Sequence, residues 1–183
     1  APAAVTKLGY GPATAIDRDG FTGYVQDGVL GLRYGVLARV KKSATGSIVA
    51  MTVFASRDGS DPLPAARATI DDALAAGYDR TLQRHARWWT DFWAASSVTI
   101  PDARLQRHYD LVKYFYGAAS RRGSPPMPLQ GVWTADNGGL PPWKGDYHND
   151  LNTQTTYIAY HTAGLFEAGE SFLRFMSDLL LQF

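Results

Sequence analysis

The feature that most constrains this chain is a change of apolar period partway along it. From Leu30 to Val40 apolar side chains recur at every second position. Leu30, Leu32, Tyr34, Val36, Ala38 and Val40 alternate with Gly31, Arg33, Gly35, Leu37 and Arg39. That period belongs to a half-buried strand. Ile48 to Ala55 is apolar on both phases, as in a more buried strand, and Ser43-Ala44-Thr45-Gly46 supplies the turn between them. From about residue 65 onward the spacing is helical. Strands followed by helices define an α+β chain. A lone hairpin is only marginally stable, so these strands need partners, from residues 1–28 or from sequence outside this chain. The Asp- and Gly-punctuated run DRDGFTGYVQDG within 1–28 is turn chemistry.

The helical half divides at its punctuation. A helix is expected over about 65–76, with Gly77 as its C-terminal cap. The next, about 78–94, carries a stripe of Tyr78, Leu82, His85, Trp89 and Phe92, widened by Trp88 and Trp93, which reads as a buried packing face. Asp102 is placed to cap a helix over about 103–121, with Leu105, Tyr109, Val112, Tyr116 and Ala119 inward. Two more are expected over 151–163 and 166–183. The apolar pattern of the last runs to Phe183 with no Gly or Pro stop. A bare apolar face invites aggregation, so the chain is expected to be a fragment, or to have this end covered by a partner segment.

Composition removes several classes of function. There are 18 Lys+Arg against 17 Asp+Glu, and a net charge of +1 offers no electrostatic case for nucleic acid or an anionic membrane. No apolar run reaches transmembrane length. The absence of cysteine rules out disulfides, Cys-ligated zinc and a thiol nucleophile. No second His or Glu stands at zinc spacing from His148, and there is no glycine-rich phosphate motif, so neither metal nor cofactor is expected. The start APAAV suits the end left by cleavage after a small-residue site, and an extracellular or periplasmic location is expected from it.

The chemistry concentrates in Leu129–Tyr157, LQGVWTADNGGLPPWKGDYHNDLNTQTTY. Trp133 and Trp143 flank a Gly/Pro loop. Asp146, Tyr147, His148, Asn149, Asp150, Asn152 and Gln154 follow within a few residues. Aromatic rings stack on the C–H faces of a pyranose and planar polar groups fix its hydroxyls, so the stretch suits a sugar cleft. Asp150 and Asn152 are two apart and can share one water or one sugar, as inverting glycoside hydrolysis requires of its water-side groups. Capping of the following helix is an equally good account of that pair. Trp143 and Tyr147 suit stacking on sugar or anchoring of the loop. His148 can donate to a sugar hydroxyl or act as an acid.

Ala119-Ser120-Arg121-Arg122-Gly123, Pro128-Leu129-Gln130-Gly131-Val132-Trp133, Pro141-Pro142-Trp143, Gly145-Asp146-Tyr147-His148, Asn152 and Gln154 together resemble the catalytic region of glycoside hydrolase family 95, the inverting 1,2-α-L-fucosidases. The resemblance implies a β-sandwich, a helical linker and an (α/α)6 barrel with the active site in the barrel's mouth. It divides this chain into 1–63 (end of the sandwich), 64–101 (linker) and 102–183 (first helices of the barrel, completed by sequence C-terminal to this chain). It also implies an oligosaccharide or glycan substrate. An N-x-N pair that positions the attacking water maps onto Asp150 and Asn152, and His148 maps onto a sugar-contacting residue. Trp133, Trp143, Asp146, Tyr147 and Gln154 complete the expected substrate side. The family's general acid lies downstream of this chain, which alone is expected to be inactive. Asp150 stands where the family has Asn, and Thr155, Thr156 and Ile158 also depart from its pattern. A carboxylate at 150 can itself serve as base or bind a different hydroxyl, which extends the expected substrates to related α-L-sugars. A non-catalytic carbohydrate-binding protein and a glycoside phosphorylase are the alternatives.

Overall fold

The computed structural model describes residues 6–44, 46–56, 61–131 and 142–180. Two compact units divide at His85/Ala86.

In the first unit, β1 (Thr14–Arg18), β2 (Phe21–Asp27), β3 (Arg33–Ser43) and β4 (Gly46–Ala55) form a four-stranded antiparallel meander in chain order. The partners that the hairpin required therefore come from the segment before residue 28. Arg18 pairs with Phe21, leaving a two-residue turn of Asp19 and Gly20, both at positive φ (57° and 77°). Such turns match the twist of the strands they join. Strand β3 begins at Arg33, because Val29–Gly31 forms a 3-10 turn with Leu30 at φ 54° and fully exposed.

One sheet face packs against α1 (Leu63–Ala76). Its core is Ile16, Phe21, Leu37, Phe54, Ala66, Ile70 and Leu74. The buried phase of β3 is Gly35 and Leu37, with Arg39 in the same phase, rather than the more apolar phase beside it. Gly35 has no side chain to hide, and an added Cβ would stand 2.2 Å from the Tyr24 carbonyl oxygen. Arg39 and Arg67 lie over the Phe21 ring at 4.9 and 5.1 Å, and pair with Asp71 and Asp19. The other face carries Tyr24, Val40, Val49, Met51 and Val53, all exposed, so β4 is less buried than its composition predicts.

Helix α2 (Tyr78–Ala94) keeps the expected bounds but buries no residue fully. The expected stripe is exposed over Tyr78, Leu82 and His85 and half-buried over Trp88, Trp89, Phe92 and Trp93.

In the second unit, α3 (Ala103–Ala119) is capped by Asp102, whose carboxylate accepts from the N–H groups of Arg104 and Leu105 at 2.8 and 3.1 Å. Its buried face is Lys113, Tyr116, Gly117 and Ser120. Leu105 and Val112, expected inward, are exposed. The reason is spatial. Gly117 lets the Trp89 and Phe92 rings come so close that an added Cβ would stand 2.8 Å from each. Lys113 donates to the carbonyls of Trp93 (2.9 Å) and Ser96, and its ammonium lies 5.0 Å from the Trp93 ring centre. It thus serves the unpaired carbonyls where α2 ends. Burial lowers the Lys113 amine, and Asp110 opposes that.

The helix expected over 151–163 is two short ones, α4 (Asn152–Tyr157) and α5 (Ala159–Thr162). Helix α6 (Phe166–Leu180) follows, burying Ala168, Gly169 and Ser171. Gly169 admits the Tyr160 ring, against which a Cβ would stand 2.2 Å away. Tyr116, Met127, Tyr157, Leu165 and Ala168 form the core. Among the described residues no helix is long and apolar enough to cross a membrane.

Candidate functional site

The candidate residues occupy a loop between a 3-10 turn (Pro142–Gly145) and α4. Trp143 has φ 56°, a left-handed conformation uncommon for a bulky side chain. Its side chain is exposed (68%) and meets the His148 ring edge to face at 5.3 Å. His148 Nε2 donates to Asp146 Oδ1 at 2.9 Å. A carboxylate oxygen accepts, so that bond uses Nε2 as donor and leaves Nδ1 as the acceptor of the neutral imidazole. Trp143, His148 and Asp146 therefore form one contiguous cluster, with an aromatic plate, an oriented imidazole and a half-exposed carboxylate.

Tyr147 points elsewhere. Its hydroxyl donates to the Pro126 carbonyl at 2.8 Å and its ring lies 4.6 Å from Phe175. Asp150 and Asn152 are both exposed on the turn that enters α4. Asp150 Oδ1 accepts from the adjoining Leu151 N–H at 3.0 Å, and neither side chain caps α4. The helix is instead entered by a backbone bond from Thr153 N–H to the His148 carbonyl at 2.9 Å. Gln154 folds back to donate to the Asn149 carbonyl. Trp133 lies outside the described residues.

Three polar atoms of this neighbourhood belong to residues that the sequence did not assign to the site. Gln130 Oε1, Asn149 Oδ1 and Thr153 Oγ1 are buried and have no hydrogen-bond partner among the described residues. Gln130 also lines a largely apolar groove of about 460 Å³ with Phe115, Tyr116, Met127, Thr155 and Thr156. In the sequence Gln130 is marked by the family-like run and Asn149 by the polar cluster after Trp143, while Thr153 is marked only by its position inside the Leu129–Tyr157 stretch. Among the described residues no group of His, Asp or Glu is placed to hold a metal ion.

A sheet unit followed by a helical unit, with this loop in the latter, is an α+β arrangement bearing a polar and aromatic site. The description "Glycosyl hydrolase family 95 catalytic domain" matches residues 80–182, more than half of the chain. The chain belongs to that family. It is also 37% identical, over 70 residues, to a protein from Aspergillus niger named "Probable alpha-fucosidase A"; the matched stretch is 38% of this chain and 9% of that protein.

Proposed function

We propose that this chain contributes the water side of a glycoside hydrolase site that releases α-linked L-fucose, or a related sugar, from oligosaccharides with inversion. Family membership supports the reaction class, and the relative's name supports the sugar. The observation that carries the reading is the Trp143–His148–Asp146 cluster beside Asp150 and Asn152. An exposed indole held in a strained backbone conformation suits a sugar face. His148, with Nε2 engaged by Asp146, offers Nδ1 to a sugar hydroxyl. Asp150 and Asn152, exposed and not used as caps, are available to a water on the opposite face of the sugar ring, which is where inversion needs it. Tyr147 and Gln154 hold the loop, and a sugar contact is proposed for Trp133 as well.

The finer architecture follows the same reading. The exposed apolar face of β3 and β4 is what the inner face of one half of a β-sandwich presents. The exposed Leu105, Leu111 and Val112 of α3 suit helix neighbours in an (α/α)6 barrel. The boundaries are 1–63, 64–101 and 102–183.

The test is hydrolysis of fucosylated oligosaccharides and aryl α-L-glycosides by the full-length protein, with the anomer of the released sugar followed by NMR. Release of the β-anomer is expected. Absence of hydrolysis across the panel overturns the reading, and release of the α-anomer overturns inversion.

A further inference from the structure

We infer that the run Pro125–Leu129 is a strap that positions the candidate site, and that Tyr157 is the positioning residue through which it acts. Pro125, Pro126 and Pro128 have no backbone N–H, so Met127 and Leu129 carry the only two in the run. Both are used on the segment that bears the site. Leu129 N–H donates to the Asp146 carbonyl at 3.0 Å, at the start of the loop. Met127 N–H donates to the Tyr157 hydroxyl at 2.7 Å, at the end of α4. The Pro126 carbonyl accepts the Tyr147 hydroxyl at 2.8 Å. His148, Asp150 and Asn152 lie between these anchors, and Asp146 is itself the first of them.

The Tyr157 end is built into the core. Tyr157, Ser120 and Ser171 are 1%, 3% and 1% exposed. Tyr157 Oη lies 2.8 Å from Ser120 Oγ, and Ser120 Oγ lies 2.6 Å from Ser171 Oγ. The Ala168 carbonyl accepts from both serines, at 2.8 and 3.0 Å. Met127 N–H can only donate and the Ala168 carbonyl can only accept. The Tyr157 hydroxyl thus accepts from Met127 and lies within reach of Ser120 and, at 3.3 Å, of Ser171, and both serines reach the Ala168 carbonyl. The phenol is locked between a donor and an acceptor, and stacking on Phe172 at 5.0 Å fixes its ring. Ser171 is a branch. Without it, Ser120 still reaches Ala168, and the Tyr157–Met127 bond survives.

That branch makes the role testable. The kinetic arm rests on the proposed hydrolase activity; the exchange arm does not. In the full-length protein, Tyr157→Phe is expected to lower kcat about tenfold or more with KM within about twofold, because Asp150 and Asn152, on the Tyr157 side, lose their placement while Asp146 and His148 stay tied through the Leu129 and Tyr147 bonds. Amide hydrogen exchange over 150–155 is expected to quicken. Ser171→Ala is expected to lower the melting temperature while kcat and that exchange stay within about twofold of wild type. A Tyr157→Phe protein with unchanged kcat or unchanged exchange overturns the strap, as does equal loss of kcat in both variants. If the wild-type protein hydrolyses no α-L-glycoside, the functional reading fails and the exchange arm alone decides the strap. Should Tyr157→Phe not fold, the wild-type Met127 and Leu129 amides decide it: slow exchange is expected, and exchange at the rate of exposed amides overturns it.

Discussion

The two units bury different chemistry. The core cluster of the sheet unit is aliphatic and aromatic, its one buried polar side chain among the described residues, Gln26, donates only to the nearby Gly11 and Asp27 carbonyls, and its charge pairs stay at the rim, where Arg39 meets Asp71 and Arg67 meets Asp19. The interior of the helical unit mixes Tyr116, Tyr157 and Leu165 with Ser120, Ser171, Thr153 and Lys113. Apolar burial is non-directional and tolerates adjustment. A buried polar network is stable only when its donors and acceptors meet in a particular geometry. The candidate site is tied to the second kind of core, which holds a loop where hydrophobic packing alone would let it slide.

The sharpest way to break this contrast is at the sheet's centre. Leu37 is fully buried, and Leu37→Ala is expected to cost about 3–5 kcal/mol from lost transfer energy and a cavity, at any moderate pH. Urea unfolding followed by circular dichroism reads it, and a loss below about 1 kcal/mol would mean that the sheet core is not the apolar keystone described.

The helical core should respond to pH instead. Burial, with a further push from Tyr157, raises the Tyr116 hydroxyl to about 12, against the ordinary 10.0. Between those values the unfolded chain releases a proton that the folded chain keeps. The stabilisation is whole below pH 10 and lost as pH rises toward 12, roughly 2–3 kcal/mol in all. All five tryptophans lie in the helical unit, so their fluorescence follows its unfolding. The stability difference between wild type and Tyr116→Phe should shrink or reverse over that window; a difference independent of pH refutes the assignment.

A smaller effect is expected from Lys113→Met. It relieves a buried amine but leaves the Trp93 and Ser96 carbonyls without their donor, for a net loss of about 1–3 kcal/mol by the same fluorescence signal. Stabilisation would show that the amine's burial outweighs its capping of α2.

The same contrast explains what was legible in the sequence. The β3–β4 hairpin could be read from the alternation of its first strand, the apolar run of its second and the turn between them, and the cap at Asp102 and the stop at Gly77 from local chemistry. These signals reside in a few adjacent residues. The buried phase of β3 could not be read that way, because a glycine and an arginine stacked on Phe21 carry it. The inward face of α3 was likewise hidden: Lys113, Gly117 and Ser120 look like a solvated face until Trp93, Phe92 and Tyr157 close over them. The break at Ile158 carries no Gly or Pro mark. In the candidate site the residue types could be read, as could their crowding into one loop. The pairing of His148 with Asp146 and the turning of Tyr147 onto Phe175 could not, since both depend on contacts that spacing does not encode.

The most direct test of the central claim is turnover by the full-length protein carrying Asn152→Ala. Asn152 is exposed, begins a short helix and does not cap it, so its loss should leave the melting temperature nearly unchanged. If it helps to hold the attacking water, kcat on a fucosylated oligosaccharide should fall about 10²-fold or more. Turnover close to wild type, in a protein that folds normally, would contradict the placement of the water side of the site on this loop.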